Sequence, residues 1–193
     1  LTPIGEPLST IAIAKLSGAP YFAGFWFLAK ALAVYILPGI LVLGFFAAMI
    51  KHKPSKSAGL TEDYPETIKN ICVRAAKVYI FVMGLIFLGS GLKPLIDGYL
   101  VNVPAAGLYW LNISSAVLDN ATLTAAEITP SMDIVRIRVI LMGLLVAGGM
   151  LIPGNIPNII AAGKLKISSR DWARIGVPLG LILMFAYFIV IFI

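Results

Sequence analysis

A polar break divides an apolar stretch that would otherwise be long enough to cross a membrane. Residues 139–152 and 159–163 are largely apolar, and between them the chain reads Pro153-Gly-Asn-Ile-Pro-Asn158. Proline removes a backbone N–H group and asparagine adds a polar amide. Because an unsatisfied polar group in hydrocarbon costs several kcal/mol, such a break persists only where protein or a polar cavity surrounds it. Membrane transporters place their ion and substrate sites at breaks of this kind.

The composition indicates that the chain lies in a membrane. Of its 193 residues 60% are hydrophobic and only 12% are charged, whereas about 25% of residues are charged in soluble domains. The single cysteine, Cys72, rules out an intramolecular disulfide and a cysteine metal cluster. We therefore expect an all-α integral membrane protein whose surroundings are lipid.

The positive charge of the chain is concentrated in two short loops. The net charge is +6, and most lysines and arginines lie either in the polar loop 51–77 or between Lys164 and Arg174. An excess of positive charge in short loops keeps them on the cytoplasmic side of a membrane. Orientation is sufficient to explain the charge, so we expect no nucleic-acid partner.

The remaining apolar segments predict three full spans, one hairpin and one broken helix. The spans are 31–50, 78–96 and 175–193. Two apolar arms in 104–130 are each too short to cross about 30 Å of hydrocarbon, and they flank a polar tip, which favours a re-entrant hairpin. The broken helix occupies 134–163. This layout places both basic loops on the cytoplasmic side, as their charge requires.

The start of the chain repeats the sequence of the break. The matched residues are Pro3 with Pro153, Pro7 with Pro157 and, after a slip of one residue, Lys15-Leu16 with Lys164-Leu165. In the predicted layout the two copies cross the membrane in opposite directions, as the halves of an inverted repeat do. The first copy would lack its hairpin and leading helix, so we expect the C-terminal part of a larger transporter.

The predicted domain organisation follows from this repeat. We expect one transmembrane transport domain over 1–193. It comprises the end of a first repeat (1–50), a cytoplasmic basic loop (51–77) and a second repeat (78–193) that contains the hairpin and the broken helix. The fold class is thus an inverted-repeat transporter whose first repeat is incomplete.

Two motifs resemble the ion transporter superfamily, which includes arsenite permeases, NhaD-type sodium/proton antiporters and citrate–metal symporters. Ser114-Ser-Ala-Val-Leu-Asp-Asn-Ala-Thr122 is similar to the S-x-x-x-D-N-x-P/T hairpin tip of that superfamily. Gly148-Gly-Met-Leu-Ile-Pro-Gly-Asn-Ile-Pro-Asn-Ile-Ile-Ala-Ala-Gly163 is similar to its unwound helix. The likeness is strongest to an uncharacterised archaeal and bacterial branch of predicted cation transporters. It implies a multi-pass protein of a prokaryotic cell membrane, and a homodimer.

Oxygen-bearing side chains at the polar breaks are the candidate ligands for a transported ion. They are Thr2, Glu6, Asp119, Asn120, Thr122, Asn155 and Asn158. A carboxylate near the middle of a bilayer is costly and marks a functional site, which favours Asp119, although Asp119 would also suit a helix N-cap. Asn155 and Asn158 offer neutral oxygens, or else satisfy the broken backbone. We expect Glu6 to face Asp119 as a second carboxylate.

These residues favour secondary active exchange of Na⁺ for H⁺ by alternating access. A buried carboxylate holds either a proton or a cation, and competition between them exchanges one for the other. An oxyanion or carboxylate carrier of the same superfamily, and a non-transporting membrane subunit, are the alternatives. We expect no enzyme, because Asp119 lacks an aspartate partner and Ser114 lacks a nearby base. No resident metal or cofactor is expected beyond the transported ion.

Overall fold

The computed structural model describes residues 2–4, 6–49, 67–95, 98 and 103–193. Most of the predicted basic loop 51–77 lies outside these residues. Every regular element in the described part is helical, so the expected all-helical fold is confirmed there. The helices are α1 (Pro7–Leu16), α2 (Phe27–Met49), α3 (Ile68–Leu95), α4 (Ala105–Leu111), α5 (Asn120–Glu127), α6 (Ile134–Gly148), α7 (Ile156–Leu165) and α8 (Ser169–Phe192), with short 3-10 turns at Asn112–Ala116 and Ile152–Gly154.

Among the described residues, two helices are long and apolar enough to cross a membrane, judged by length and composition. They are α2, with 23 residues and a mean hydropathy of 2.3, and α8, with 24 residues and a mean hydropathy of 2.6. Both leave most of their apolar side chains exposed, as at Leu41, which is 73% exposed, and Ile182, which is 66% exposed. In water such surfaces would favour association or aggregation.

The ends of these two helices differ from the predicted spans. The first begins at Phe27 and continues through Pro38, four residues before the predicted start at residue 31. The second begins at Ser169, because Ser168 caps it: the backbone N–H of Asp171 donates to Ser168 Oγ at 3.2 Å. Helix α3 covers the predicted span 78–96 as far as Leu95.

Helix α6 lies at the centre of the described core. Its side chains are apolar around much of the helix, and Ile140, Leu141 and Leu144 are completely buried, as expected for a helix with neighbours on several sides. It packs against α4, α5, α8 and the first 3-10 turn. Between α4 and α8, Tyr109 is fully buried and donates its hydroxyl to the carbonyl of Met184 at 2.8 Å.

Helices α1 and α5 lie side by side and point in the same direction. At their N-terminal ends Asn120 contacts Glu6, and at their C-terminal ends Lys15 donates to the backbone carbonyls of Ala125 and Ile128. Small side chains along α5 allow the two helices to approach closely. The start of α1 is therefore fixed against the start of α5, where the predicted hairpin tip lies.

Candidate functional site

The carboxylate of Glu6 joins three helix N-termini. Its Oε1 atom accepts a hydrogen bond from Asn120 Nδ2 at 3.0 Å and another from Asn155 Nδ2 at 2.7 Å. Glu6 precedes α1, Asn120 is the first residue of α5, and Asn155 precedes α7. Three of the predicted site residues therefore meet, although the two asparagines lie 114 and 149 residues away from Glu6 along the chain.

Glu6 and Asn155 begin their helices with the same backbone geometry. Glu6 has φ −155° and ψ 143°, and Asn155 has φ −155° and ψ 139°. Each is followed by a ten-residue helix with a proline in its first turn and a lysine, Lys15 or Lys164, in its last. Each lysine is nine residues after its cap, whereas Pro7 is one residue after Glu6 and Pro157 is two residues after Asn155. When the two copies are aligned at their caps, the lysines therefore match and the prolines are offset by one residue.

The carboxylate of Asp119 caps α5. Its Oδ2 atom accepts from the backbone N–H of Thr122 at 3.0 Å and lies 3.3 Å from Thr122 Oγ1. The capping alternative for Asp119 is thus what the structure contains, and Thr122 is its partner. The hydrogen-bonded neighbour of Glu6 is the next residue, Asn120, in place of the expected Asp119.

The break between α6 and α7 is satisfied from both sides. Asn158 Nδ2 donates to the carbonyls of Gly148 at 2.8 Å and Leu151 at 3.1 Å. From α8, Trp172 Nε1 donates to the carbonyl of Gly149 at 3.2 Å. Asn158 therefore supports the broken backbone through its N–H groups, which is the second of the two roles considered for it.

Carbonyl oxygens crowd around Gly154 at this break. A Cβ atom at that position would lie 2.5 Å from the oxygen of Ser115, 2.7 Å from that of Gly148 and 3.0 Å from that of Ala116. Only glycine allows so close an approach of three backbone segments. The hairpin and the broken helix therefore touch through their backbones, with carbonyl oxygens facing one another.

The site has an oxygen atom without a donor. Asn155 Oδ1 is buried and has no hydrogen-bond partner among the described residues, which is a costly state for an acceptor. The described part of the chain contains no cluster of three or more His, Cys, Asp or Glu side chains that could hold a metal ion. Ligands for a cation would thus be the carboxylate of Glu6, amide oxygens and backbone carbonyls.

The electrostatics of the site combine opposite contributions. The N-terminus of a helix carries roughly half a positive charge, and three N-termini meet here. Glu6 and Asp119 contribute two carboxylates at the same ends. Charged hydrogen bonds to Glu6 and Asp119 therefore balance much of the positive potential that the helix ends create.

The structure leaves one candidate apart and adds another residue. Thr2 is half-buried in the segment before Glu6, and no described hydrogen bond joins it to the other candidates. Lys15 was not singled out from the sequence, but it holds the C-terminal end of α5 through the carbonyl of Ile128 at 3.2 Å. A lysine in an apolar segment, nine residues after Glu6, was the signal for that role.

The described fold and site define an all-helical protein with two potential membrane-crossing helices and a polar centre where helix ends meet. The chain belongs to a family of proteins of unknown function, DUF1646, whose model matches residues 1–193. No curated protein and no solved structure matches the chain.

Proposed function

We propose that this protein is a secondary active ion transporter of the cell membrane of a prokaryote, and that it exchanges a cation, Na⁺, for H⁺. The observation that carries the proposal is the meeting of Glu6, Asn120 and Asn155 from three separate helix ends. Breaks in apolar helices that meet at one polar point are the arrangement in which transporters bind ions. The resemblance to the ion transporter superfamily agrees with this reading.

The outer surfaces of α2 and α8 support the membrane location. Their exposed apolar side chains extend over 23 and 24 residues, about the length needed to cross the hydrocarbon of a bilayer. Hydrocarbon around these helices removes the cost that water would impose. It also explains why the polar groups of the chain collect at the ends of shorter, more central helices.

The paired caps support an inverted repeat. Glu6 and Asn155 share their backbone geometry and begin helices of equal length. Two related helix starts that touch each other through their cap side chains are what a twofold axis near the site would produce. The ion site then lies on that axis, where both halves contribute ligands.

The chemistry of exchange follows from Glu6. When ionised, Glu6 accepts from both amides, as observed. A cation entering the site would draw the carboxylate, together with Asn155 Oδ1, toward itself. A proton on Glu6 removes the negative charge and disfavours the cation, so the two ions compete for one group. Alternating access then converts this competition into exchange.

One observation favours a second candidate, an anion carrier. Helix N-termini attract anions, and three of them meet at the site. In an anion carrier Glu6 would repel the substrate and its removal would improve binding. In a cation exchanger Glu6 is the principal ligand. Replacing Glu6 by glutamine therefore separates the two candidates by the direction of the change.

The test uses purified protein in liposomes that contain a pH-sensitive dye. Pulses of Na⁺, Li⁺ or K⁺ should evoke proton flux with the unaltered protein, and Glu6→Gln should abolish it. Asp171→Asn, which alters an exposed carboxylate bonded to Ser168, is the matched control and should retain the flux. Absence of any cation-evoked proton flux from the unaltered protein would remove the exchanger, and anion uptake that rises in Glu6→Gln would favour the carrier.

A further inference from the structure

A second buried carboxylate lies at the other end of α5. Glu127 is the last residue of that helix and is only 7% exposed. Its Oε2 atom is buried and has no hydrogen-bond partner among the described residues. An ionised carboxylate in such a position costs several kcal/mol unless a charge or donors compensate it.

Another buried oxygen that lacks a donor belongs to Asn112. This residue is completely buried. Its Nδ2 group donates to the carbonyl of Ile140 at 3.2 Å, while its Oδ1 atom has no partner among the described residues. The described core thus contains two buried side-chain acceptors, Glu127 Oε2 and Asn112 Oδ1, that lack a donor.

Two charged side chains on the neighbouring helices, Lys15 and Arg136, donate to backbone carbonyls. On α1, Lys15 donates to the carbonyls of Ala125 and Ile128. On α6, Arg136 donates to the carbonyl of Val103 at 2.8 Å. Arg138 is two residues later in the same helix, and its buried Nε atom has no hydrogen-bond partner among the described residues. Helix α3 also packs against α5. Glu127 forms no ion pair within the described part of the chain.

We propose that Glu127 is a proton-binding site, occupied as a neutral carboxylic acid and separate from the ion site at Glu6. Protonation turns the buried carboxyl group of Glu127 into an O–H donor, and it removes a buried negative charge that has no hydrogen-bond donor at Oε2. A cleft of about 130 Å³, lined by Thr129, Ser131, Met132, Asp133 and Arg136, lies next to the end of α5, since Thr129 is two residues after Glu127. Such a cleft is large enough to hold water.

The position of Glu127 gives this proton a role in exchange, and that role rests on the proposed function. Glu127 comes seven residues after Asn120 in α5, which corresponds to about 10 Å along the helix axis. One rigid helix thus connects the proton site to the ion site, with Glu6 at its start and Lys15 at its end. Loss of the proton would create a buried charge at one end of the helix whose other end binds the cation.

Infrared spectroscopy of the purified protein tests the protonation without any transport assay. The unaltered protein should show the carbonyl band of a protonated carboxyl group at neutral pH, and Glu127→Gln should lack it. Asp133→Asn is the matched control, since Asp133 is exposed and asparagine also caps a helix; it should keep the band. A band that persists in Glu127→Gln would overturn the proposal. Glu127→Asp, which retains a carboxyl group, should shift the band, and an unshifted band would overturn it as well.

A transport measurement in the same liposomes tests the coupling. Glu127→Gln should retain exchange of labelled Na⁺ for Na⁺, and its Na⁺-driven proton flux should fall, because only the proton that competes at Glu6 remains. An undiminished Na⁺-driven proton flux would overturn the coupling role. If the unaltered protein moves no ions, the proposed function fails, while the infrared band still decides whether Glu127 holds a proton.

Discussion

At the scale of the residue, one oxygen atom connects the distant parts of the site. Glu6 Oε1 accepts from Asn120 and from Asn155, and both bonds join a carboxylate to an amide N–H. Hydrogen bonds to a charged group contribute about 1.5–3 kcal/mol each, and a partner left buried without one is costly. The contact therefore stabilises the fold as well as forming the site.

A double-mutant cycle measures this contact. Glu6→Ala and Asn155→Ala should each lower the free energy of unfolding in detergent. The double variant should be more stable than the sum predicts, by about 1.5–3 kcal/mol, because the two changes remove the same hydrogen bond. The pair Glu6→Ala and Asp171→Ala serves as control and should be additive. Additivity in the test pair would show that the bond contributes nothing to stability.

The sequence marked Glu6, Asn120 and Asn155 as polar residues within apolar segments, but it did not predict that these three side chains contact one another. Asp119 and Asn120 are adjacent in the chain, and successive residues of a helix point about 100° apart. Only the position of the helix start decides which of them caps α5 and which faces Glu6. That start depends on how α5 packs against α1, and the sequence carries no direct signal of this packing.

At the scale of the element, α1 and α7 begin in the same way but differ in how deeply their side chains are buried. Both are ten-residue helices that begin at an extended cap. In α1, Leu8, Ile11 and Leu16 are buried, whereas in α7 Ile159 and Ile160 are about half exposed. The shared start therefore comes from the local sequence, while the burial comes from the neighbours that each helix has in the described structure.

Glycine substitutions at the break test the close backbone contact. Gly154→Ala would place a methyl group 2.5 Å from the carbonyl oxygen of Ser115, and such overpacking costs about 1–3 kcal/mol. We expect a lower melting temperature and a weaker ion site. Gly163→Ala, in α7, meets no atom within 4 Å, and should leave the protein as stable or stabilise it slightly. Equal melting temperatures in the two variants would contradict the observed packing.

Element boundaries were predicted less well than the elements themselves. Apolar length indicated the long helices, but α2 starts at Phe27, four residues before the predicted start, and it continues through Pro38. In a membrane the backbone groups freed by a proline are satisfied by local adjustment, so the helix continues. A break was predicted at residues 153–158, and the helix is interrupted between Gly148 and Ile156. Pro153, Gly154 and Asn155 lie in this interruption, whereas Pro157 and Asn158 lie in the first turn of α7.

At the scale of the whole molecule, the apolar surface and the polar centre require each other. The exposed side chains of α2 and α8 suit hydrocarbon, and hydrocarbon makes isolated polar groups costly. Glu6, Asn120 and Asn155 are therefore stable only because they meet. The family description gives no function, so this arrangement is the main physical guide to what the protein does.

A charged substitution on the exposed face of α2 tests whether this helix lies in a bilayer or in water. Leu41 is 73% exposed in the middle of α2, and in water Leu41→Arg would change stability by roughly 0.5 kcal/mol or less. In a bilayer an arginine at the centre of a helix costs about 2.5–3.5 kcal/mol on insertion scales. We expect Leu41→Arg to reduce the fraction of protein that resists alkaline extraction from membranes. Leu41→Ile is the control, and equal extraction of both would place α2 in water.

The sharing of Glu6 Oε1 by two donors has a mechanical consequence. Because both amides depend on the same atom, any event that turns this atom away, such as the arrival of an ion, releases Asn120 and Asn155 together. The side-chain contacts of α1 with the starts of α5 and α7 are then lost in one step, not in sequence. A chemical change at a single atom would therefore alter the connections of two helices at once.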